Sequence, residues 1–236
     1  IFTHARDVKE YKVEEFIGVS GSAEALDWLP DGKFQPPMAF NAGEDHFKQR
    51  VESAFPGRKV IMGRTANLTK ELPGRSLCQH RNICQRGCSF GAAFSTQSST
   101  LPAAQATGRL TVLTDTQVTG LVMDPSGTRV AAVEAINTRT RARSRYSGRV
   151  VFLCAGSFNS VHILLNSATS AKPSGLANSS GTLGRFIMDH CNAGLAADFE
   201  ILQDKYYFGN KPNVLYEPRF LNEREKSPEV LRGYEM

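Results

Sequence analysis

Three of the five cysteines in the chain, Cys78, Cys84 and Cys88, lie close together with the spacing C-x5-C-x3-C. The segment that carries them, residues 74–91, is rich in turn-forming residues and shows little apolar periodicity. A backbone of this kind can fold around a small object, and thiolates are the ligands that iron–sulfur clusters and soft metals prefer. The spacing therefore indicates a site for a metal or a metal cluster.

Taken alone, the residues leave other interpretations of this loop open. Zinc with His80 as a fourth ligand is one, although zinc sites favour C-x2-4-C pairs. A disulfide between Cys78 and Cys84 would leave one cysteine of the loop unpaired, and free thiols need no ligand. Cys154 and Cys191 have no partner spacing, so we expect both to be inert thiols in or near the core, with Cys154 in a buried strand.

Apolar spacing predicts the elements that position the loop. Helical intervals occur in residues 6–17, 43–55, 99–107 and 160–167. Strands are predicted at 59–63, 110–113, 117–123, 129–137, 143–148 and 150–154, and a turn at 124–127 begins a β-meander. The predicted fold class is therefore α/β, in the sense of a mixed α+β arrangement.

The step from the strand at 150–154 through Ala155 and Gly156 into a helix is the pattern of half a βαβ unit. In such a unit the amides of the helix N-terminus face an anionic ligand. A side chain larger than methyl at these two positions would obstruct a diphosphate or ribose. The alternative is a purely structural turn, because short strand-turn-helix steps occur in many α/β proteins.

Composition narrows the class of protein. The chain has 236 residues, of which 41% are hydrophobic and 22% charged, as in ordinary soluble globular proteins. No apolar run approaches the ~20 residues of a transmembrane helix, so we expect no direct membrane insertion. The first residue is Ile and no signal-peptide pattern is present, which favours a fragment of a longer protein.

The net charge of +5 raises the question of nucleic-acid binding. The basic residues that cluster on a predicted hairpin are not interleaved with aromatic residues, which favours a solvated strand pair over a nucleic-acid interface. They are Arg139, Arg141, Arg143, Arg145 and Arg149.

Five segments of the chain together resemble the glucose-methanol-choline (GMC) flavoprotein oxidoreductases. They are YKVEEFIGVSG at 11–21, GAAFSTQSSTLPAA at 91–104, TGRLTVLTDTQV at 107–118, VFLCAGSFNS at 151–160 and GRFIMDH at 184–190. Their order and spacing agree with the family. The resemblance implies the middle part of a Rossmann-like FAD-binding domain with a β-meander at 1–190, including the cysteine loop at 74–91. It also implies the start of a substrate-binding domain at 191–236.

The resemblance implies the oxidation of an alcohol group by hydride transfer to flavin N5. In the family, the backbone at the position of Val118 approaches the adenine of FAD, and Ala155 and Gly156 lie near the cofactor. By the same resemblance, Asp189 and His190 lie beside FAD. For His190 the other interpretation is a histidine whose nitrogens are satisfied by local backbone hydrogen bonds.

The chain also departs from the family pattern. The G-x-G-x-x-G fingerprint and the C-terminal segment with the catalytic histidine are both absent, so we assign no catalytic residue and expect this span alone to be inactive. None of the five histidines matches the general-base position by its surrounding residues. They are His4, His46, His80, His162 and His190.

Within the family, a subset that resembles the FAD-dependent glucose, gluconate, fructose and sorbitol dehydrogenases carries a loop with the C-x5-C-x3-C spacing seen here. Its loop holds a 3Fe-4S cluster, and the resemblance implies Cys78, Cys84 and Cys88 as the ligands here. Three thiolates suit a cuboidal cluster that lacks one corner iron. We expect Arg81 and Arg86 to offset the negative charge of thiolates and sulfides.

The resulting expectation is a bacterial FAD-dependent dehydrogenase that oxidises a sugar or polyol and passes electrons through the cluster to an external acceptor. A small partner subunit and a cytochrome acceptor are implied by the same resemblance, which favours the periplasm over the cytoplasm. Two alternatives stand beside it. One is an oxygen-reducing GMC oxidase with a structural cysteine loop, and the other is a non-catalytic binding protein that kept the fold.

Overall fold

The computed structural model describes residues 13–21, 32–189, 194, 212, 214–218 and 226–229. The chain forms two compact units, one made of Ile1–Leu110 with Ala197–Met236 and the other of Thr111–Ala196. Compactness does not assign a unit to a cofactor or a substrate domain, so the predicted boundary at residue 190 stays a prediction. His190 and Cys191 lie outside the described residues.

The described chain contains both helices and strands, as the mixed fold class predicts. In chain order they are α1 (Val13–Ile17), α2 (Ala42–Ala54), β1 (Ile61–Met62), a 3₁₀ turn (Cys84–Arg86), α3 (Thr100–Ala106), β2 (Thr116–Met123), β3 (Val130–Asn137), β4 (Arg143–Tyr146), α4 (Ser157–Asn166) and β5 (Leu215–Tyr216). The sheets are antiparallel, one pairing β1 with β5 and the other running β2-β3-β4.

Helix α2 shows why the sequence pattern at 43–55 predicts a helix. Asn41 precedes its first turn, and its side chain accepts a hydrogen bond of 2.9 Å from the amide of Glu44. The Glu44 carboxylate accepts one of 2.7 Å from the amide of Asn41, which completes a capping box. Phe55 caps the C-terminus and Pro56 and Gly57 follow it, so the helix ends within one residue of the predicted end.

The core of the first unit includes part of the cysteine loop. Its buried members are Met38, Met62, Leu68, Cys78 and Ala92, and Phe40, Leu72, Cys88 and Leu215 pack against them. Two of the three loop cysteines thus contact the apolar core directly. The cysteine loop is therefore anchored through Cys78 and Cys88 to the hydrophobic core of this unit.

The second unit is built on the predicted meander. A turn closed by a 2.9 Å hydrogen bond from the amide of Gly127 to the carbonyl of Asp124 joins β2 to β3. Helix α4 packs on β2, where the Ser167 hydroxyl accepts a 2.8 Å hydrogen bond from the Leu121 amide and donates one of 2.6 Å to the Ile163 carbonyl. One buried hydroxyl therefore connects the helix to the sheet.

Two predicted strands are not formed. Residues 110–113 and 150–154 have no strand pairing among the described residues. Phe152 is 84% exposed, and Cys154, which we expected in a buried strand, is exposed. A fully apolar segment becomes a strand only when neighbouring strands complete its hydrogen bonds, and the described part of the chain supplies none.

The arginine-rich hairpin is a solvated surface with local ion pairs. Arg139 lies 3.1 Å from the Asp115 carboxylate, and Arg145 lies 2.6 Å from that of Glu134. These exposed pairs fit the interpretation of a solvated strand pair. In the described part of the chain, no helix has the length and apolarity needed to cross a membrane.

We expect Ser167→Ala to lower the free energy of unfolding by about 1–3 kcal/mol, because it leaves the half-buried Leu121 amide without its hydrogen-bond acceptor. Chemical denaturation of the full-length protein measures the change. The exposed serine Ser144 provides the control, since Ser144→Ala should change the free energy by no more than about 0.5 kcal/mol. Equal effects of the two substitutions would contradict the assigned role of the Ser167 hydroxyl.

Candidate functional site

The three loop cysteines converge on one cavity. Cys78, Cys84 and Cys88 all line it, together with other residues of the loop and the side chain of Asn67. Cys78 is buried, and the other two cysteines are half-buried. The cavity volume is about 20 Å³, which is room for about one water molecule. The predicted grouping of the three thiols is thus present in the structure.

Backbone hydrogen bonds to Leu68 bring the ends of the loop together. The Leu68 amide donates a 3.1 Å hydrogen bond to the carbonyl of Ala92, and the Leu68 carbonyl accepts one of 2.8 Å from the Cys78 amide. The first cysteine and the residues that follow the last cysteine are therefore held on either side of one fully buried leucine.

Cys84 is held as a neutral thiol. Its Sγ donates a 3.7 Å hydrogen bond to Oδ1 of Asn67, whose own Nδ2 donates to Oγ1 of Thr65 at 2.8 Å. Burial raises the pKa of the Cys84 thiol, and the nearby sulfurs of Cys78 and Cys88 raise it further. The sequence did not indicate Asn67, because it lies eleven residues before the first cysteine in a segment without chemical signature.

Cys88 has the opposite electrostatic environment. Burial by itself would raise its pKa, but hydrogen bonds from the backbone amides of Ala93, Phe90, Ala92 and Gly91 outweigh burial and lower the pKa. A set of backbone amides around one sulfur stabilises negative charge on it. Cys88 is therefore the cysteine for which the structure provides direct stabilisation of the thiolate.

The three thiols are not arranged as a preformed site for a single metal ion. Among the described residues, no group of three or more His, Cys, Asp and Glu side chains is arranged to hold one ion. Around a single zinc the sulfurs would lie within about 4 Å of one another, since each Zn–S bond is about 2.3 Å. In a cluster, different irons bind the thiolates and the sulfurs stay further apart. The small cavity would have to widen to admit a cluster.

His80 does not complete a zinc site. Its backbone amide donates a 3.4 Å hydrogen bond to the Sγ of Cys78, so this contact with the sulfur is made by the backbone of His80. The ring Nδ1 is buried with no hydrogen-bond partner among the described residues. The backbone of His80 is in the left-handed region, with φ of 53°. The alternative of a three-cysteine, one-histidine zinc site thus has no preformed geometry.

Of the arginines in the cysteine-loop segment, Arg81 lines the cavity, as we expected of a loop cation, but the buried one was not expected. Arg81 and Arg86 are exposed, and Arg81 donates a 3.2 Å hydrogen bond to the hydroxyl of Ser89. Arg75 is 6% exposed and donates to the carbonyl of Gly91 at 2.8 Å. The sequence did not indicate Arg75, because its hydrogen-bond partners Gly91 and Ile17 are distant along the chain. The composition of the loop indicated only that some of its arginines could offset negative charge.

The predicted turn before α4 has a backbone that requires glycine. Gly156 has φ of 81° and ψ of 164°, a conformation that other residues rarely adopt. No atom lies within 4 Å of the position that a Cβ would occupy there, so the space beside the turn is open. No side chain caps α4, and the first amides of the helix are thus available to an anionic group. Ala155, half-buried, precedes this turn.

The other predicted cofactor residues are only partly described. Val118 lies in β2 opposite Ala135, next to a break in register between Val118 and Gly120. Such irregularities bend a strand and are frequent near binding sites. Asp189 is exposed, and His190 lies outside the described residues. Of the elements that carry or begin at the described cofactor positions, β2 and α4 pack against each other.

In the protein without bound metal, we expect iodoacetamide to alkylate Cys88 faster than Cys84. The thiolate is the reactive form, and the two pKa shifts have opposite directions. The preference should grow as the pH falls from about 8.5, the ordinary thiol pKa, to about 7. Peptide mass spectrometry after timed quenching measures both rates. Equal rates across this pH range would contradict the assigned difference.

Comparison with known proteins identifies the family to which the chain belongs. A family model described as GMC oxidoreductase matches residues 55–192, which include the cysteine loop, the meander and the turn at Gly156. The 2-methyl-1,2-propanediol dehydrogenase of Mycolicibacterium austroafricanum is 34% identical over 85 residues, or 36% of this chain. The matched part spans 15% of the length of that relative. Because the family model covers more than half of the 236 residues, the chain belongs to the GMC oxidoreductase family.

Proposed function

We propose that this chain is part of an FAD-dependent dehydrogenase that oxidises an alcohol group of a sugar or polyol and delivers the electrons through a 3Fe-4S cluster to an external acceptor. Membership of the GMC oxidoreductases supports the alcohol oxidation and the flavin. The observation that carries the cluster is the convergence of Cys78, Cys84 and Cys88 on one cavity.

The three cysteines would hold the cluster in different ways. Cys78, packed in the core, provides a fixed ligand. Cys88 provides a thiolate stabilised by backbone amides, and Cys84 must give up the proton that it now shares with Asn67. When bound, FAD would accept the hydride and the cluster would transmit single electrons, which suits a one-electron acceptor such as a cytochrome.

The flavin would bind against the second unit in this proposal. The amides at the start of α4 would face its diphosphate, and Gly156 would leave that approach open. Val118, Ala155, Asp189 and His190 would complete the cofactor contacts, as the family resemblance implies. A catalytic base is not assigned to any residue of this chain.

The substrate and partners follow from the same proposal. The name of the relative from Mycolicibacterium austroafricanum describes a dehydrogenase of 2-methyl-1,2-propanediol, so small diols belong beside sugars among the alcohols to test. A small partner subunit, a cytochrome acceptor and a periplasmic location of a bacterial enzyme would accompany a cluster-bearing dehydrogenase.

Anaerobic purification of the full-length protein should give both bound flavin and iron, with the EPR signal of a 3Fe-4S cluster. Cys84→Ser should abolish the signal and most of the iron while flavin remains, because a hydroxyl is a poor ligand for iron in such a cluster. Iron and flavin analysis together with EPR makes the measurement.

Cys154→Ser is the matched control, since Cys154 is exposed and lies in the other unit. It should retain the wild-type signal. Flavin without iron in the wild type would refute the cluster and favour the oxygen-reducing oxidase. Absence of both would favour the non-catalytic binding protein.

Gly156→Ala should lower the free energy of unfolding by about 1–3 kcal/mol and reduce the flavin content of the purified protein. A Cβ finds open space at this position, so the cost comes from the backbone conformation and not from a clash. A Cβ on Gly194 would also meet open space, but the φ of Gly194 is not positive, so Gly194→Ala should be nearly neutral. Thermal unfolding and flavin absorbance test both variants, and full flavin content in a destabilised Gly156→Ala protein would count against the diphosphate contact.

A further inference from the structure

The outer side of β4 is an open edge of the three-stranded sheet in the second unit. Among the described residues, no strand pairs with β4 on the side away from β3. All four residues of the strand, Arg143–Tyr146, are exposed. An edge of this kind presents unpaired amides and carbonyls, and an extended polypeptide can add to it as a further strand.

The backbone groups that face outward from this edge belong to the two arginines of β4. The Asn137 amide donates a 2.9 Å hydrogen bond to the carbonyl of Ala142, which lies opposite it across the hairpin. In an antiparallel pair, hydrogen-bonded and non-hydrogen-bonded positions alternate along the strand. The backbone of Ser144 therefore bonds to β3, whereas the amides and carbonyls of Arg143 and Arg145 point away from it.

The other side of β3 agrees with this alternation. The amide of Thr138 donates a 2.8 Å hydrogen bond to the carbonyl of Asp115, which directly precedes β2. Thr138 thus faces the β2 side, and its neighbour Asn137 faces the β4 side. The orientation assigned to the outer edge follows from both sets of hydrogen bonds.

Positive charge accompanies the outward backbone groups. Arg143 and Arg145 share one face of the sheet, because residues two apart on a strand point the same way. The guanidinium of Arg145 donates to the Glu134 carboxylate at 2.8 and 2.6 Å. The guanidinium of Arg143 has no carboxylate partner among the described residues. One positive charge at the start of the strand is therefore unmatched.

A groove of about 390 Å³ adjoins the same part of the sheet. The residues that line it come from all three strands and are mostly polar or charged: Thr119, Glu134, Ala135, Arg143, Ser144 and Arg145. It thus gives room for side chains beside the two arginines. A carboxylate placed there would meet the unmatched charge of Arg143, whereas an ammonium group would be repelled.

We propose that the outer edge of β4 binds an extended, acidic segment of another polypeptide, which adds to the sheet as a fourth strand. Its backbone bonds to the amides and carbonyls of Arg143 and Arg145, and its carboxylates, at every second position, face the two guanidinium groups. A second copy of β4 would instead bring like charges together. The inference concerns only the second unit and does not depend on the proposed flavin or cluster.

Fluorescence anisotropy of a labelled synthetic peptide with the full-length protein tests the proposal. The probe has glutamate at every second position and threonine or valine between, and it should bind, whereas the same peptide with lysine for glutamate should not. Methyl groups on the backbone nitrogens of the glutamates remove the amides that would face β4, and should weaken binding about tenfold. Methyl groups on the intervening residues are the matched control, because those amides would face solvent, and they should change the affinity little.

Substitutions in the protein locate the binding to the edge. Arg143→Glu places a like charge opposite the peptide carboxylates and should weaken binding about tenfold or more. Arg149 is also exposed but lies outside the strand, so Arg149→Glu should change the affinity less than about twofold at about 150 mM salt. Equal effects of the two substitutions would overturn the proposal.

The same measurements separate the other occupants of this edge. Equal binding of the two N-methylated peptides would show attraction by charge alone and would overturn strand addition. Displacement of the probe by inorganic phosphate, but not by chloride at the same ionic strength, would assign the groove to a small anion instead. A dimer of the protein that the acidic peptide dissociates would assign the edge to a second copy. Absence of binding by the acidic peptide would also overturn the proposal.

Discussion

The cysteine site depends on the backbone of one buried residue, Leu68. Its amide and carbonyl bind the strand-like segment after Cys88 and the amide of Cys78, respectively. A loop that contains three glycines and left-handed residues would otherwise have many conformations. Because both ends are fixed next to the core, the entropy of bringing the sulfurs together is already lost on folding. Ligand binding then has to order only the middle of the loop.

The fold was predictable where the interactions that determine it are local. The apolar spacing that predicts a helix at 43–55 and the turn predicted at 124–127 are both local patterns, and both elements are present in the structure. The segment at 150–154 failed as a strand because its state depends on partner strands, which the apolar pattern cannot supply. Hydrophobicity indicates that a segment should be buried but not what buries it.

In the candidate site, too, local features were predictable from the sequence and long-range contacts were not. Cysteine spacing predicted that three thiols meet, and the structure brings them to one cavity. Arg75 and Asn67 were not predicted, because Arg75 contacts Ile17 from 58 positions away and Asn67 contacts Cys84 from 17. The thiols also differ in a way that spacing cannot reveal. The pKa of Cys84 is raised and that of Cys88 is lowered, so at a given pH ligand binding at this site releases more protons from Cys84 than from Cys88.

Strand β4 is an edge strand of the meander and carries exposed positive charge. All four of its residues are exposed, and Arg143 and Arg145 occupy alternate positions along it. A sheet edge with unpaired backbone groups is a template for strand addition by another polypeptide, and positive charges there repel a second copy of the same edge. Among the described residues no strand pairs with the outer side of β4, and exposed arginines along such an edge disfavour the addition of a second copy of the same strand.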